Sequence, residues 1–166
     1  MPHPVRWSAL VLAVAACSAF AQQPDILATA AKEPGAVKTE SGLIFRTLTE
    51  GKGPSPTADD TVRVHYRGTL ANGKEFDSSY SRGTPTEFPL KRVIKCWTEG
   101  LQRMKVGGKA KLTCPPSIAY GDRSVGGGLI PPNSVLTFEV ELLAIAGATA
   151  APPNPHGANP HGAAKK

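Results

Sequence analysis

Aromatic residues are scarce in this chain: Phe, Tyr and Trp make up 6% of its 166 residues, so the places where they gather are informative. Cysteine is scarcer still, at 3 residues, which excludes a disulfide-rich miniature scaffold. With no CxxC pair and no His beside the cysteines, metal binding and redox catalysis lack their usual ligands. Long apolar runs are missing too. Trp7 to Ala16 is the one clear stretch, too short for a membrane-spanning helix of about 20 residues. The net charge of +6 is spread along the chain without a sustained Lys/Arg run or a nucleic-acid motif, so it reads as a mildly basic surface and not as a nucleic-acid partner. There is no Gly-x-Ser-x-Gly, His-Glu-x-x-His, P-loop or dinucleotide fingerprint. An enzyme made of these residues works without an activated nucleophile, a metal or a cofactor.

Glycine and proline, by contrast, number 17 and 16, about a fifth of the chain. That level argues against a helical bundle or coiled coil and favours strands joined by many turns. The two ends differ from the middle. Residues 1–21 carry Arg6, then the apolar stretch, then Ala19-Phe20-Ala21 at the positions a signal peptidase reads, which is the pattern of a secretory leader. Val14-Ala15-Ala16-Cys17 also resembles a bacterial lipobox, so cleavage after Ala21 and lipidation at Cys17 both stand. Either places the protein in the periplasm or outside the cell, and only the second attaches it to a membrane. Residues 22–37 form a short extension with a helical turn around Ile26 to Lys32. Residues 147–166 are Ala, Pro, Gly, Asn and His with no large apolar side chain, an expected disordered tail. A single domain over residues 38–146 remains. In an oxidising compartment its Cys96 and Cys114 form an even pair. A disulfide would stabilise by roughly 3 kcal/mol on the chain-entropy model, and two buried thiols are the plainer alternative.

Within 38–146 the apolar residues alternate with period two. Val62, Val64 and Tyr66 face one way and Arg63, His65 and Arg67 the other; Ala110, Leu112 and Cys114 oppose Lys109, Lys111 and Thr113. Leu136, Phe138, Val140 and Leu142 point inward between Glu139 and Glu141. Gly42 to Leu48 reads as a further strand, and Asn72-Gly73 as a hairpin turn. Only Val93, Trp97, Leu101 and Met104 recur at helical spacing, predicting an amphipathic helix that stops before Gly107-Gly108. These elements make an α+β domain, an antiparallel sheet whose apolar face wraps one short helix. Tyr66, Phe76, Trp97, Tyr120 and Phe138 fall on inward positions of separate elements. They are either plain core or an aromatic cup, which with Asp77 and Arg82 beside it would suit an apolar ring carrying an amide, such as a prolyl peptide.

Val64-His65-Tyr66-Arg67-Gly68 and Gly73-Lys74-Glu75-Phe76-Asp77-Ser78-Ser79 closely resemble FKBP-type peptidyl-prolyl cis-trans isomerases. So do Val93-Ile94-x-x-Trp97-x-x-Gly100-Leu101, Met104-x-x-Gly107-x-Lys109, Ala119-Tyr120-Gly121, Ile130-Pro131-Pro132-Asn133 and Phe138-Glu139-Val140-Glu141-Leu142. The resemblance covers Gly42 to Leu143 in the family's order. It implies a curled antiparallel sheet of about five strands around one short helix, and an isomerase acting on X-Pro bonds of exported proteins. Carried over by motif, Trp97 is the floor of the proline pocket, with walls from Tyr66, Phe76, Val93, Ile94 and Phe138. Leu129 and Ile130 are further substrate contacts. Asp77, Arg82 and Tyr120 form the polar rim, with Tyr66, Asp77 and Tyr120 in the catalytic roles. The Tyr120 hydroxyl and the Ile94 amide would each hold a substrate carbonyl.

Departures from the family pattern carry expectations of their own. Thr86 replaces an aromatic found in many relatives. Cys96 stands for the usual Gly before Trp97 and Cys114 for an aliphatic residue, a paired replacement that supports the disulfide. The loop Ser124 to Leu129 is slightly longer than in many relatives. Dimeric exported members carry a long helical segment ahead of the domain; with residues 22–37 in its place, a monomer is expected. Macrolide inhibitors of the family are expected to bind. A proline-binding chaperone module with little turnover is the competing reading.

Overall fold

The computed structural model describes residues 25–146; the leader, Cys17 and the tail from residue 147 lie outside the described residues. The chain runs through α1 (Ile26–Ala31), β1 (Ala36–Lys38), β2 (Ile44–Thr49), β3 (Thr61–Leu70), β4 (Glu75–Ser78), α2 (Ser79–Arg82), β5 (Thr86–Pro89), α3 (Lys95–Gln102), β6 (Lys109–Cys114) and β7 (Leu136–Ala146). One sheet takes the order β1-β2-β6-β7-β3-β4, with β5 also on β3, and every pairing is antiparallel. The sheet is the one the sequence predicts, with seven strand segments in place of about five. The additions are short: β1 has 3 residues, and the far edge of β3 is divided between β4 and β5 with 4 residues each.

β3 organises the sheet. Along one side it pairs with β7 over its whole length, Thr61 opposite Ala146 through Leu70 opposite Leu136. Along the other, β5 takes Thr61 to Val64 and β4 takes Arg67 to Thr69. The Asn72-Gly73 turn closes the β3–β4 hairpin, with the Leu70 amide donating to the Lys74 carbonyl at 2.9 Å. Alternation does what the sequence demands: Val62, Val64, Leu112, Leu136, Val140 and Leu142 are all fully buried.

α3 lies on the apolar face, and it is shorter than the periodicity of Val93 to Met104 suggests. A 3-10 turn at Leu90–Arg92 follows Pro89, and the chain is extended again at Val93, so the helix begins only after Ile94, its N-cap. Gly100 sets the depth of packing. A Cβ there would lie 2.8 Å from Leu112 Cδ2, closer than side chains tolerate, so glycine lets helix and strand approach. A disulfide between Cys96 and Cys114, with Cα atoms 5.8 Å apart and both residues fully buried, joins the same two elements covalently.

Part of the segment expected as an extension packs on the outer face of the sheet. Asp25 caps α1 by accepting from the Ala28 amide at 3.1 Å. Glu33 accepts from Arg46 Nη1 of β2 at 2.6 Å and from Lys111 Nζ of β6 at 2.5 Å. Thr113, on the strand face read as outward, is therefore buried, sharing a groove with Ala30 of α1. No helix among the described residues is long and apolar enough to cross a membrane. The Cys96→Ala/Cys114→Ala double variant should lose roughly 3 kcal/mol, read from denaturant unfolding; an unchanged midpoint would show that noncovalent packing alone clamps α3.

Candidate active site

Trp97, 4% exposed, stands in the first turn of α3 with three rings edge-on around it. The centroids of Tyr66, Phe88 and Phe138 lie 5.2, 5.3 and 5.4 Å away, at interplanar angles of 82°, 83° and 87°. Perpendicular packing sets the positive edge of one ring on the negative face of the next, the favoured geometry for aromatic pairs. Phe76 meets Phe138 at 5.6 Å and 90°. Both rings pass over Gly68, where a Cβ would come within 2.5 Å of Phe76 Cζ and 3.1 Å of Phe138 Cε1. Above Trp97 a cavity of about 320 Å³ opens, lined by these rings together with Val93, Ile94, Asp77, Tyr120 and Arg92.

The divided edge of β3 holds Tyr66. Neither β4 nor β5 reaches it, and its backbone is satisfied by one side chain. Ser79 Oγ, fully buried, accepts from the Tyr66 amide at 2.8 Å and donates to the Tyr66 carbonyl at 3.3 Å. His65 Nδ1 lies 2.9 Å from the same oxygen, and its ring stacks on Tyr80 at 4.7 Å. His65 thus supports the outer side of the strand.

The rim is a closed set of hydrogen bonds. The Tyr66 hydroxyl donates to Asp77 Oδ2, and Arg82 Nη1 donates to Asp77 Oδ1. Arg82 Nη2 donates to the Tyr66 hydroxyl at 2.9 Å and to Thr86 Oγ1 at 3.4 Å. Burial alone would raise the Asp77 pKa, but the Tyr66 hydroxyl and the Arg82 guanidinium outweigh it and hold the carboxyl below its ordinary range. Burial pushes the Tyr66 hydroxyl up, reinforced by Asp77 and opposed by Arg82. Burial also raises Tyr120, the charge of Asp77 adding to it and Arg123 opposing. Both phenols therefore stay protonated at neutral pH. The Tyr120 hydroxyl has no protein partner among the described residues, and Ile94, as N-cap, keeps its N–H outside the helical ladder.

Most of the expected site residues meet here. Arg82 acts one step back, through Asp77 and Tyr66. Leu129 and Ile130 are brought elsewhere: Val125 and Ile130 bridge to each other by two backbone bonds of 3.1 Å, closing a tight loop with Gly126, Gly127 and Gly128 all at positive φ. That loop leaves Leu129 40% exposed and sends Ile130 into the core, so neither lines the cavity. Two lining residues were not foreseen. Phe88 shares the β5 face of Thr86 two positions on, a period-two signal that could have found it. Arg92 sits on the 3-10 turn, which leaves no periodic trace. Among the described residues no group of three or more His, Cys, Asp and Glu gathers that could hold a metal.

A family model described as FKBP-type peptidyl-prolyl cis-trans isomerase matches residues 53–143. The chain belongs to the FKBP family. FKBP-type peptidyl-prolyl cis-trans isomerase FkpA of Escherichia coli K12 is 54% identical over 113 residues, covering 68% of this chain and 41% of that protein. Peptidyl-prolyl cis-trans isomerase Mip of Coxiella burnetii is 46% identical over 126 residues, 75% of this chain and 54% of the relative. The crystal structure of Escherichia coli FkpA superposes with a TM-score of 0.71 at 50% identity, over 75% of this chain and 58% of that one. An isomerase structure from Pseudomonas syringae gives 0.67 at 40% identity, over 72% of this chain and 86% of that one. This FKBP chain therefore spans about half the length of the curated relatives it matches.

Two predictions follow from the rim. Ser79→Ala strips the buried Tyr66 backbone of its partner and should cost about 1–3 kcal/mol, with faster hydrogen exchange at the Tyr66 amide; unchanged exchange would remove Ser79 from the support of the wall. Asp77 is more acidic folded than unfolded, so its pairing contributes stability above about pH 4 and loses it as pH falls through the depressed value. The stability difference between wild type and Asp77→Asn should thus be constant at neutral pH and shrink below pH 4; a difference independent of pH would contradict the pairing.

Proposed function

We propose that this chain is a peptidyl-prolyl cis-trans isomerase acting on X-Pro bonds of exported proteins and so assisting their folding. The observation that carries this reading is the convergence of Trp97, Tyr66, Phe76, Phe138, Asp77 and Tyr120 on one cavity of about 320 Å³. An apolar cup of that size accepts a proline ring, with hydroxyl and amide donors at its mouth for the chain on either side.

The barrier to rotation is amide resonance, about 18–20 kcal/mol. Unaided, X-Pro isomerisation takes tens to hundreds of seconds. A twisted amide has lost resonance, and its carbonyl is less polar than in the planar form. An apolar pocket therefore favours the twisted state relative to the planar one, while Tyr120 and the Ile94 N–H hold the flanking carbonyls. Asp77, tied to Tyr66 and Arg82, keeps the wall and rim in place. No bond is broken and no proton moves, so the reaction needs no cofactor. Substrates are proline-containing segments of unfolded chains, and macrolide inhibitors of the family should occupy the same cup. The chain acts as a monomer in the periplasm or outside the cell, after cleavage behind Ala21 or lipidation at Cys17. Mass spectrometry of the mature N-terminus distinguishes an acylated Cys17 from a free Gln22.

The cis-to-trans rate of a short X-Pro peptide tests the reading. Wild type should accelerate it; Tyr120→Phe, lacking about one hydrogen bond of about 1 kcal/mol, should lose roughly 5-fold, and Trp97→Ala more. Asp77→Ala should reduce the rate without abolishing it, and the rate should be flat between about pH 6 and 9 because the raised phenols do not ionise there. No acceleration by folded protein would leave a proline-binding module; complete loss in folded Asp77→Ala would overturn the mechanism without proton transfer.

A further inference from the structure

Arg92 is the one cation in the cavity lining without an assigned task. Asp77 is paired with Arg82, and Arg123, whose charge reaches Tyr120, does not line the cavity. Arg92 is exposed and makes no ion pair among the described residues. Its backbone is nevertheless fixed. Leu90, fully buried, donates its amide to the Asp60 carbonyl at 2.9 Å, and Thr98 Oγ1 of α3 donates to the Leu90 carbonyl at 2.6 Å. The guanidinium thus projects from an anchored turn, two residues before the N–H of Ile94.

Its surroundings are cationic. Lys91 and Lys95 flank it, and no acidic residue occurs between Glu87 and Glu99. Those acids are directed elsewhere. Glu87 alternates to the side of β5 opposite Phe88, and Glu99 accepts from Ser41 at 2.5 Å and faces Arg103 at 3.7 Å. Asp59 faces Lys91 at 4.0 Å, and Asp60 accepts from Thr57. One wall of an otherwise apolar cup therefore includes an arginine two positions before the Ile94 N–H. A guanidinium in that position matches a carboxylate.

We propose that Arg92 is a specificity-determining residue that selects prolines flanked by an acidic side chain and disfavours those flanked by Lys or Arg. This rests on the reading of the cavity as a proline site. An exposed pair of this kind changes rates modestly, so selection is graded.

Peptides with Ala, Glu or Lys immediately before the proline, and a second set with them immediately after it, would be followed by NMR exchange. kcat/KM should favour Glu over Lys by about 3- to 10-fold at low salt in one of the two sets. That ratio should fall towards one in Arg92→Gln, invert in Arg92→Glu and shrink at 1 M salt, where the screening length is about 3 Å. Equal rates for Glu and Lys in both sets of wild type, or a ratio unchanged in Arg92→Gln, overturns the proposal. The same peptides titrated for binding separate the two readings. Glu-over-Lys affinity that depends on Arg92, without turnover of any peptide, upholds the selection and sinks the isomerase. Turnover of the Ala peptides without a charge ratio does the reverse.

Discussion

The contact of Gly100 with Leu112 is the constraint on which the rest of this structure depends. With no Cβ in the way, α3 settles onto β6 at a distance no other residue permits without displacing Leu112. Trp97 lies three residues earlier on the helix, so that depth places the indole level with the rings of Tyr66, Phe88 and Phe138 instead of above them. Two further ties hold the same helix start: the disulfide from Cys96 to Cys114, and the bond from Thr98 to the Leu90 carbonyl. A helix of 8 residues has little stability of its own, so packing and cross-links fix it. The cup floor is therefore tied to the sheet by the disulfide and by close packing, which holds the shape that a site acting by shape and polarity requires.

How much of this was legible follows from which physical signals are local. The strands were readable because half-buried sheets write their orientation as alternation, and Val62, Val64, Leu136 and Val140 occupy the faces their spacing assigns. The cup was readable because its residues fall on inward positions of those same elements. What escaped depends on neighbours distant in sequence. Thr113 alternates as an outward residue and is buried only because α1 arrives from the other end of the chain. Ile130 opens a motif of the family and Leu129 ends the loop before it, yet the bridge between Val125 and Ile130 turns both from the cavity. The helix start slipped from Val93 to Lys95 because a 3-10 turn intervenes. Arg92 escaped with it.

The division of the outer edge of β3 unites fold and site. A continuous edge strand would have paired the Tyr66 backbone and covered it. Instead the chain leaves β4 at Ser78, turns through α2 and returns as β5, and that detour is the segment that supplies both Ser79 and Arg82. Ser79 fills the missing rung of the ladder with a hydroxyl, able to accept from an N–H and donate to a carbonyl at once. Arg82 reaches back from the end of the same short helix to Asp77 and Tyr66. A buried backbone pair left without a partner would cost more than the detour, so Ser79 at this point is what lets the sheet stay open where the cup needs a wall. The polar rim is thus a product of how the sheet solves an edge problem. Its charges close on one another, which leaves the cup apolar and its selectivity in the hands of the residues around its mouth.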